Sequence, residues 1–279
     1  MALDCGTHAA TARLPGMRIT RRKLLATTSS LAFAGSFGPL ARAQRKPRLG
    51  MIFPVIDRDV PEEAIRMYGD RIDYVVENLD LKTMTPDGYD AVIGDIPALA
   101  RKLVAQDVDA IMVMGTSLTF YQGREYNDRL TQTLRDATGL PVSTMSNGII
   151  NGLKAVGGKN LACATAYNDE VNDRLVRFLG QHGFNVLHIE GMGIEAVEDV
   201  LTVTDPQLID FCAGAGAKAQ SADAILISCG GLITLDILLP VEQRLGIPAV
   251  SSTPHALYEG ARLLGIDARV PGYGRLLTA

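Results

Sequence analysis

Short apolar runs alternate with longer amphipathic segments along most of this chain. The runs are four or five residues long and rich in Val, Ile, Leu and Ala, which is typical of buried strands. Seven strands are predicted, at Leu49–Phe53, Ala110–Met114, Val142–Met145, Leu161–Thr165, Val186–Ile189, Ala224–Ser228 and Ala249–Ser252. Five helices are predicted, at Ile96–Gln106, Glu125–Thr138, Asp169–His182, Pro206–Ala219 and Leu235–Leu245. Apolar strands separated by helices indicate an α/β protein with mainly parallel sheets flanked by helices.

The second half of the chain repeats segments of the first half in the same order. Residues 109–118 reappear as residues 223–232, 114 positions later, and each copy is a buried strand that runs into a turn of small residues. Two further pairs of segments match, 139–143 with 246–251 and, more weakly, 49–55 with 161–167. Any two βαβ units share some likeness, but three matches in one order favour two pseudo-symmetric lobes.

The carboxyl ends of the repeated strands are where such a fold places a ligand. The turns after these strands begin at Pro54, Gly115, Ala166 and Cys229. If the two lobes face each other, all four turns converge on one cleft. At the equivalent position of the repeated turn, one copy has Gly115 and the other has Cys229. The cleft is therefore predicted to offer a thiol from one turn only.

Residues 1–43 differ in composition from the rest and have the order of an export signal. The pair Arg21-Arg22 is followed by a weakly apolar stretch and by the small-x-small pattern Ala41-Arg42-Ala43, which signal peptidase reads. A short amphipathic helix is the alternative interpretation, and Met17 is an alternative start. We expect a cleaved twin-arginine signal, export by the twin-arginine translocation machinery, and a periplasmic protein without stable membrane association.

The rest of the chain, beyond residue 43, has more acidic than basic residues. Six of the 27 basic residues but one of the 31 acidic residues lie in the first 43 positions, which leaves a formal net charge of −9 beyond them. An acidic body without basic clusters argues against nucleic acids and anionic membranes as partners. Cys163, Cys212 and Cys229 have neither CxxC nor Cys/His spacing, so we expect no metal site. Their odd number leaves at least one thiol free unless it bonds another chain.

Four segments near these strand ends and the C-terminus closely resemble the arylmalonate decarboxylases, which belong to the aspartate/glutamate racemase superfamily. They are Met114–Leu118, Ala164–Tyr167, Ser228–Leu232 and Pro271–Leu276. The resemblance extends from about Leu49 to Leu277. It implies a cofactor-free decarboxylation of a disubstituted malonate that carries an aryl or alkenyl group.

The resemblance also implies a racemase-like fold with the active site in the cleft between two lobes. The first lobe would comprise residues 47–151 and 254–279, because the C-terminal segment returns to it. The second lobe would comprise residues 152–253. Each lobe would contain one mainly parallel sheet.

The same resemblance implies roles for residues of the cleft. Thr116, Ser117 and Tyr167 would hold the enediolate left by decarboxylation. The backbone N–H groups of Cys229 and Gly230 would complete this dioxyanion hole. The apolar wall against the leaving carboxylate and its surroundings would comprise Leu81, Met84, Val197, Val200, Pro54 and Val55. The chain departs from the family at Val55, where a second proline is common, and at Met84, where a smaller side chain is common; both departures alter the expected size of the pocket.

The difference between Gly115 and Cys229 decides the predicted reaction. A thiol has an unperturbed pKa of about 8.5, and burial keeps it protonated, so Cys229 can deliver a proton to the carbanion. Racemases and maleate isomerases of the superfamily carry cysteine on both turns. With Gly115 on the first turn, we expect protonation on one face and a chiral monocarboxylic acid as product.

Two other functions remain open on the sequence. A racemase or cis–trans isomerase of the same superfamily would need a second acid/base group besides Cys229. A periplasmic carboxylate-binding protein would need the cleft and its donors but no proton source, and the chain beyond residue 43 is short for that class. In each case we expect a monomer or weak oligomer that binds a small dicarboxylate without a cofactor.

Overall fold

The computed structural model describes residues 45–278, in which two four-stranded parallel sheets carry the fold. The predicted export signal, residues 1–43, lies outside the described residues. None of the helices in the described part is long and apolar enough to cross a membrane.

The first sheet is built from the first half of the chain. Its strands are β1 (Arg48–Phe53), β2 (Asp73–Asn78), β3 (Ala110–Val113) and β4 (Val142–Thr144), in the spatial order β2-β1-β3-β4. The central strands β1 and β3 are almost wholly buried, as their apolar runs predict. The apolar pattern does not predict β2, because Asp73, Glu77 and Asn78 make this edge strand polar and partly exposed.

The second sheet repeats the topology of the first. Its strands are β5 (Asn160–Thr165), β6 (Asn185–Gly191), β7 (Ala224–Ser228) and β8 (Ala249–Ser251), in the order β6-β5-β7-β8. Strands β3 and β7 occupy the same place in the two sheets. The sequence repeat therefore corresponds to equivalent strands and to the turns that follow them.

Helices alternate with the strands. They are α1 (Glu62–Tyr68), α2 (Pro86–Val92), α3 (Ile96–Ala105), α4 (Thr116–Phe120), α5 (Arg124–Thr138), α6 (Met145–Ala155), α7 (Asp169–Gln181), α8 (Val197–Val200), α9 (Asp205–Lys218), α10 (Leu238–Leu245) and α11 (Ser252–Leu263), with 3-10 turns at Ile93–Asp95 and Leu276–Thr278. All five predicted helices are present, as α3, α5, α7, α9 and α10. The repeated glycines Gly139 and Gly246 end α5 and α10 with φ of 69° and 77°, a conformation that favours glycine.

Strands β4 and β8 end one residue earlier than predicted, because Met145 and Ser252 already begin helices. Helix α11 starts directly after β8, packs against α6 and contacts β3 and β4. The chain thus returns from the second sheet to the first, as the resemblance implies. The lobe limits, 47–151 with 254–279 and 152–253, stay a prediction.

Candidate active site

A cavity of about 310 Å³ lies where the turns after β1, β3 and β7 meet. Its volume is at the lower end of the range for small-ligand pockets. Eleven of the predicted site residues line it: Pro54, Val55, Leu81, Met84, Gly115, Thr116, Ser117, Val197, Val200, Cys229 and Gly230. Both turns of the sequence repeat therefore face one cavity, and only the second supplies a thiol.

The two turns approach each other closely. A Cβ atom at Gly230 would lie 3.0 Å from Sδ of Met145 and 3.3 Å from the carbonyl oxygen of Met114, which directly precedes Gly115. A larger residue at position 230 would push these groups aside. Glycine here lets the turn that carries Cys229 pack against the turn that carries Gly115.

Cys229 is buried at the cavity in its protonated form. The residue is 4% exposed, and its Sγ lies 3.9 Å from Sδ of Met84. Burial raises the pKa of the Cys229 thiol to about 11, although the backbone N–H groups of Gly231 and Leu232 act to lower it. At neutral pH the thiol keeps its proton, which is the state that a proton donor needs.

A buried serine joins the two turns. Ser252 is the first residue of α11 and is fully buried. Its Oγ accepts a hydrogen bond from Oγ1 of Thr116 at 2.9 Å and another from the backbone N–H of Cys229 at 3.1 Å. The sequence predicts that the Cys229 N–H donates to the enediolate, but in the structure this N–H donates to Oγ of Ser252 instead. The signal for Ser252 in the sequence is its place directly after β8 and after the repeated segment 246–251.

The apolar wall is held by backbone hydrogen bonds on two sides. The N–H of Leu81 donates to the carbonyl oxygen of Pro54 at 2.8 Å, and the N–H of Met84 donates to the carbonyl oxygen of Glu195 at 3.0 Å. The segment from Leu81 to Met84 is thus fixed between the turn after β1 and the residues that precede α8. This arrangement brings the predicted wall residues of both segments to one cavity.

Comparison with known proteins decides the family. Residues 49–277 match the family model of arylmalonate decarboxylase. The chain belongs to the arylmalonate decarboxylase family. It is 44% identical over 231 residues to the arylmalonate decarboxylase of Bordetella bronchiseptica, which covers 82% of this chain and 96% of that relative. The chain is accordingly an enzyme of the decarboxylase class, a carbon–carbon lyase.

A solved structure of a liganded arylmalonate decarboxylase mutant agrees with this family. It superposes with a TM-score of 0.81 at 43% identity, over 83% of this chain and 98% of that chain. In that mutant a glycine is replaced by cysteine and, 114 positions later, a cysteine is replaced by serine. Gly115 and Cys229 are separated by the same number of positions.

Maleate isomerases share the fold with this arylmalonate decarboxylase family member. The Nocardia farcinica enzyme is 21% identical over 240 residues, covering 82% of this chain and 95% of that relative. The structure of the maleate isomerase Iso from Pseudomonas putida S16 has a TM-score of 0.77 at 21% identity, over 84% of this chain and 99% of that chain. The predicted racemase-like fold, with parallel sheets flanked by helices, is confirmed.

Tyr167 is the predicted catalytic residue that does not line the cavity. Its ring is 1% exposed and packs edge-on against Phe120, with 5.8 Å between ring centroids. Its hydroxyl lies 3.3 Å from Oγ of Ser228, which directly precedes Cys229. Burial raises the pKa of Tyr167, and negative charge on Cys229 would raise it further. The hydroxyl lies beside the strand end that carries the thiol, and its contact with the enediolate stays a prediction.

Tyr89 on α2 is a buried group near the site that the sequence pattern does not single out. Its hydroxyl makes no hydrogen bond of ordinary geometry within residues 45–278. Burial raises the pKa of Tyr89, and the neighbouring Ser117 hydroxyl acts to lower it. No local pattern in the sequence marks this residue.

Other side chains bear on what the site can bind. Arg58, Lys82 and Glu198 line the cavity, although none is predicted from the sequence. Cys163 and Cys212 are buried free thiols, and burial raises the pKa of each to about 12. No group of three or more His, Cys, Asp or Glu side chains between residues 45 and 278 is placed to hold a metal ion.

Proposed function

We propose that this protein decarboxylates an arylmalonate-like disubstituted malonate to a chiral monocarboxylic acid without a cofactor. The observation that carries the proposal is the single cavity shared by Gly115 and a protonated Cys229. One thiol can add one proton, whereas racemisation needs a base and an acid on opposite faces of the same carbon. The arylmalonate decarboxylase of Bordetella bronchiseptica supports the choice of substrate class.

The carboxylate that stays on the product is held by neutral donors from both turns. Ser117 lines the cavity, and its hydroxyl lies beside the buried hydroxyl of Tyr89. The backbone N–H groups of Thr116, Ser117 and Gly230 donate to no carbonyl oxygen of residues 45–278. Such fixed donors stabilise an enediolate because they need no reorganisation when the charge develops. They form the dioxyanion hole of the proposal, and the N–H of Cys229 is not part of it.

The reaction breaks one carbon–carbon bond and forms one carbon–hydrogen bond. The other carboxylate faces the apolar wall of Leu81, Met84 and α8, where it loses hydration and leaves as CO2. The electron pair of the broken bond moves to the α-carbon and spreads into the enediolate. The proton of the Cys229 thiol then bonds to that carbon on one face. The resulting thiolate recovers a proton from water.

Turnover in D2O tests this function. The full chain is incubated with α-methyl-α-phenylmalonate, and we expect CO2 release and one deuterium at the α-carbon of a single enantiomer of 2-phenylpropionate. Cys229→Ala should lower kcat by a hundredfold or more, about the contribution of a general acid. Cys212→Ala is the matched control, because Cys212 is buried on α9 and does not line the cavity. Absence of CO2 release, or unchanged turnover in Cys229→Ala, would contradict the proposal.

The alternative functions have less support. The fold shared with maleate isomerases fits a racemase or isomerase, but Gly115 supplies no second acid/base group. A periplasmic carboxylate-binding protein would bind phenylmalonate without releasing CO2, and Cys229→Ser would leave its affinity unchanged. The D2O experiment separates all three functions, because a racemase would exchange the α-hydrogen of the product acid.

We also propose that the enzyme is periplasmic and reaches that compartment by the twin-arginine route. The support is the sequence of residues 1–43, with Arg21-Arg22 ahead of an apolar stretch and Ala41-Arg42-Ala43. Replacing both arginines by lysine should retain the protein in the cytoplasm in cell fractionation. Periplasmic recovery of that variant would contradict the route. A monomer or weak oligomer stays the expected assembly.

A further inference from the structure

The mouth of the cavity offers apolar surface beyond the buried wall. Ile56 and Leu201 both line the cavity, and they are 55% and 52% exposed. Apolar surface that continues from a pocket into solvent favours contact with an apolar part of a ligand. An aryl substituent would extend from the buried wall over these two side chains.

Arg58 lies at the same mouth with an unpaired guanidinium. The residue lines the cavity and is half-buried, and its carbonyl oxygen accepts a hydrogen bond from Nδ2 of Asn78 at 3.1 Å. Its guanidinium makes neither an ion pair nor a hydrogen bond with any residue of the range 45–278, whereas Arg66 is paired with Asp236 at 2.6 Å. A partly shielded guanidinium binds carboxylate or phosphate oxygens strongly, because the hydrogen bonds are charge-assisted and bidentate.

Two more charged residues, Lys82 and Glu198, line the cavity. Nζ of Lys82 lies 2.5 Å from Oδ1 of Asp80, but both side chains are more than half exposed, so this pair is weak and Lys82 can also face a ligand. Glu198 is the one acidic residue among the described residues that line the cavity. Asp57 and Asp59 are exposed and lie outside that lining. The lining thus carries two positive charges and one negative charge on an otherwise acidic protein.

We infer that Arg58 and Lys82 form a subsite for an anionic group at the far end of the aryl substituent. The ring contacts Ile56 and Leu201, and a carboxylate, sulfonate or phosphate on it reaches the guanidinium. The malonate end stays with Thr116 and Ser117. This inference rests on the proposed decarboxylation and names its preferred substrates as arylmalonates with a distal acid.

A matched pair of substrates tests the subsite. The full chain is assayed with para-carboxyphenylmalonate and with its para-carboxamide, which has nearly the same shape but no distal charge. We expect kcat/KM to favour the carboxylate by about tenfold, the effect of one charge-assisted hydrogen bond pair. Arg58→Gln should bring this ratio close to one, and Lys82→Gln should lower it partly. Arg101→Gln, on α3 and away from the cavity lining, should keep the wild-type ratio.

The outcomes separate this inference from the proposed function. A ratio near one in the wild type, or an unchanged ratio in Arg58→Gln, overturns the subsite while Cys229-dependent turnover of phenylmalonate still stands. A purely structural role of Arg58 would lower both rates together and leave the ratio intact, which also overturns it. If no diacid releases CO2, the subsite falls together with the proposed function. A ratio that shrinks with added salt supports the subsite, because salt screens exposed charges.

Discussion

At the scale of single residues, the environment of Cys229 suits a proton donor better than a nucleophile. Nucleophilic cysteines need the thiolate, which nearby cations or helix N-termini stabilise by lowering the thiol pKa. Here burial dominates and raises the pKa of Cys229 to about 11. The sulfur of Cys229 contacts Sδ of Met84 at 3.9 Å, and this thioether supplies no positive charge. In the proposed reaction, the Cys229 thiol therefore keeps its proton until a carbanion of higher basicity forms.

The raised pKa predicts slow alkylation of Cys229. The thiolate is the reactive form, so the rate with iodoacetamide should stay low at pH 8 and rise with pH toward a midpoint near 11, where the thiol ionises. Peptide mass spectrometry after timed labelling measures the rate at Cys229 separately from those at Cys163 and Cys212. A midpoint at or below the unperturbed value of about 8.5 would contradict the burial argument.

The part of the site that can be predicted from the sequence lies in the repeated segments. Gly115 and Cys229 stand out because equivalent strand ends differ at one position. The places of Ser252, Tyr89 and Arg58 at the site depend on contacts between segments far apart in the chain, which no local pattern encodes. The Cys229 N–H was expected to face substrate for the same reason, since its bond to Ser252 exists only in the folded protein.

Gly115→Cys should add racemisation to the activity. The backbone at Gly115 has φ of −120°, which any residue adopts, so a thiol can stand on the first turn. A Cβ there would lie 2.9 Å from Cβ of Leu118, and this crowding should cost about 1–3 kcal/mol of stability. Chiral chromatography of a single-enantiomer product acid incubated with the variant measures racemisation. Gly115→Ala is the control, since it adds the Cβ without a thiol; an enantiomer left intact by Gly115→Cys would mean that the two turns do not act on the same carbon.

At the scale of elements, helix α1 holds the segment that follows the turn with Cys229. Glu63 on α1 is buried, and its Oε1 accepts hydrogen bonds from the backbone N–H groups of Thr234 and Leu235, each at 2.9 Å. On the exposed side of the same helix, Arg66 pairs with Asp236 at 2.6 Å. Burial raises the pKa of Glu63, although the two N–H groups and the charges of nearby arginines lower it. The buried, ionisable side chain of Glu63 therefore fixes this segment.

Glu63→Gln should stabilise the protein or leave it unchanged at neutral pH, because its amide oxygen can accept both bonds without a buried charge. The raised pKa of Glu63 means that its stability contribution is complete below the unfolded pKa near 4.5 and is lost as pH rises through the folded pKa. The advantage of the variant should therefore shrink on acidification. Denaturant unfolding at pH 7 and near pH 4.5 measures it. Glu63→Ala leaves two buried N–H groups unpaired and should cost about 3 kcal/mol; equal losses in both variants would contradict this account.

The same contact explains where the predicted elements differ from the observed ones. Apolar spacing predicts a helix from Leu235, but α10 begins at Leu238 because Thr234 and Leu235 are bound to Glu63 in a turn. Strand β2 escapes prediction because it is an edge strand with polar residues. Buried central strands and long amphipathic helices were predictable, because the spacing of their apolar residues follows directly from which faces are buried.

At the scale of the whole molecule, helix α11 connects the two sheets at the active site. It follows β8 of the second sheet and packs against α6, which follows β4 of the first. Its first residue, Ser252, receives hydrogen bonds from Thr116 of one turn and from Cys229 of the other. One hydroxyl at the start of α11 thus bridges the distance between the proposed carboxylate donors and the thiol. Small errors in such a distance lower catalysis strongly.

Ser252→Ala should therefore lower kcat by about tenfold or more through misplacement of the two turns. It should also cost about 1–3 kcal/mol of unfolding free energy, since the buried N–H of Cys229 loses its acceptor. Ser251→Ala is the matched control: Oγ of Ser251 accepts a hydrogen bond from Thr234 at 2.9 Å and is equally buried, but it makes no hydrogen bond with Thr116 or Cys229. Steady-state kinetics with phenylmalonate, beside denaturant unfolding of both variants, compares the two effects. If the two alanines lower kcat equally at similar stability, Ser252 has only a structural role; a loss of kcat in Ser252→Ala alone, with KM little changed, identifies it as the residue that positions the thiol against the enediolate.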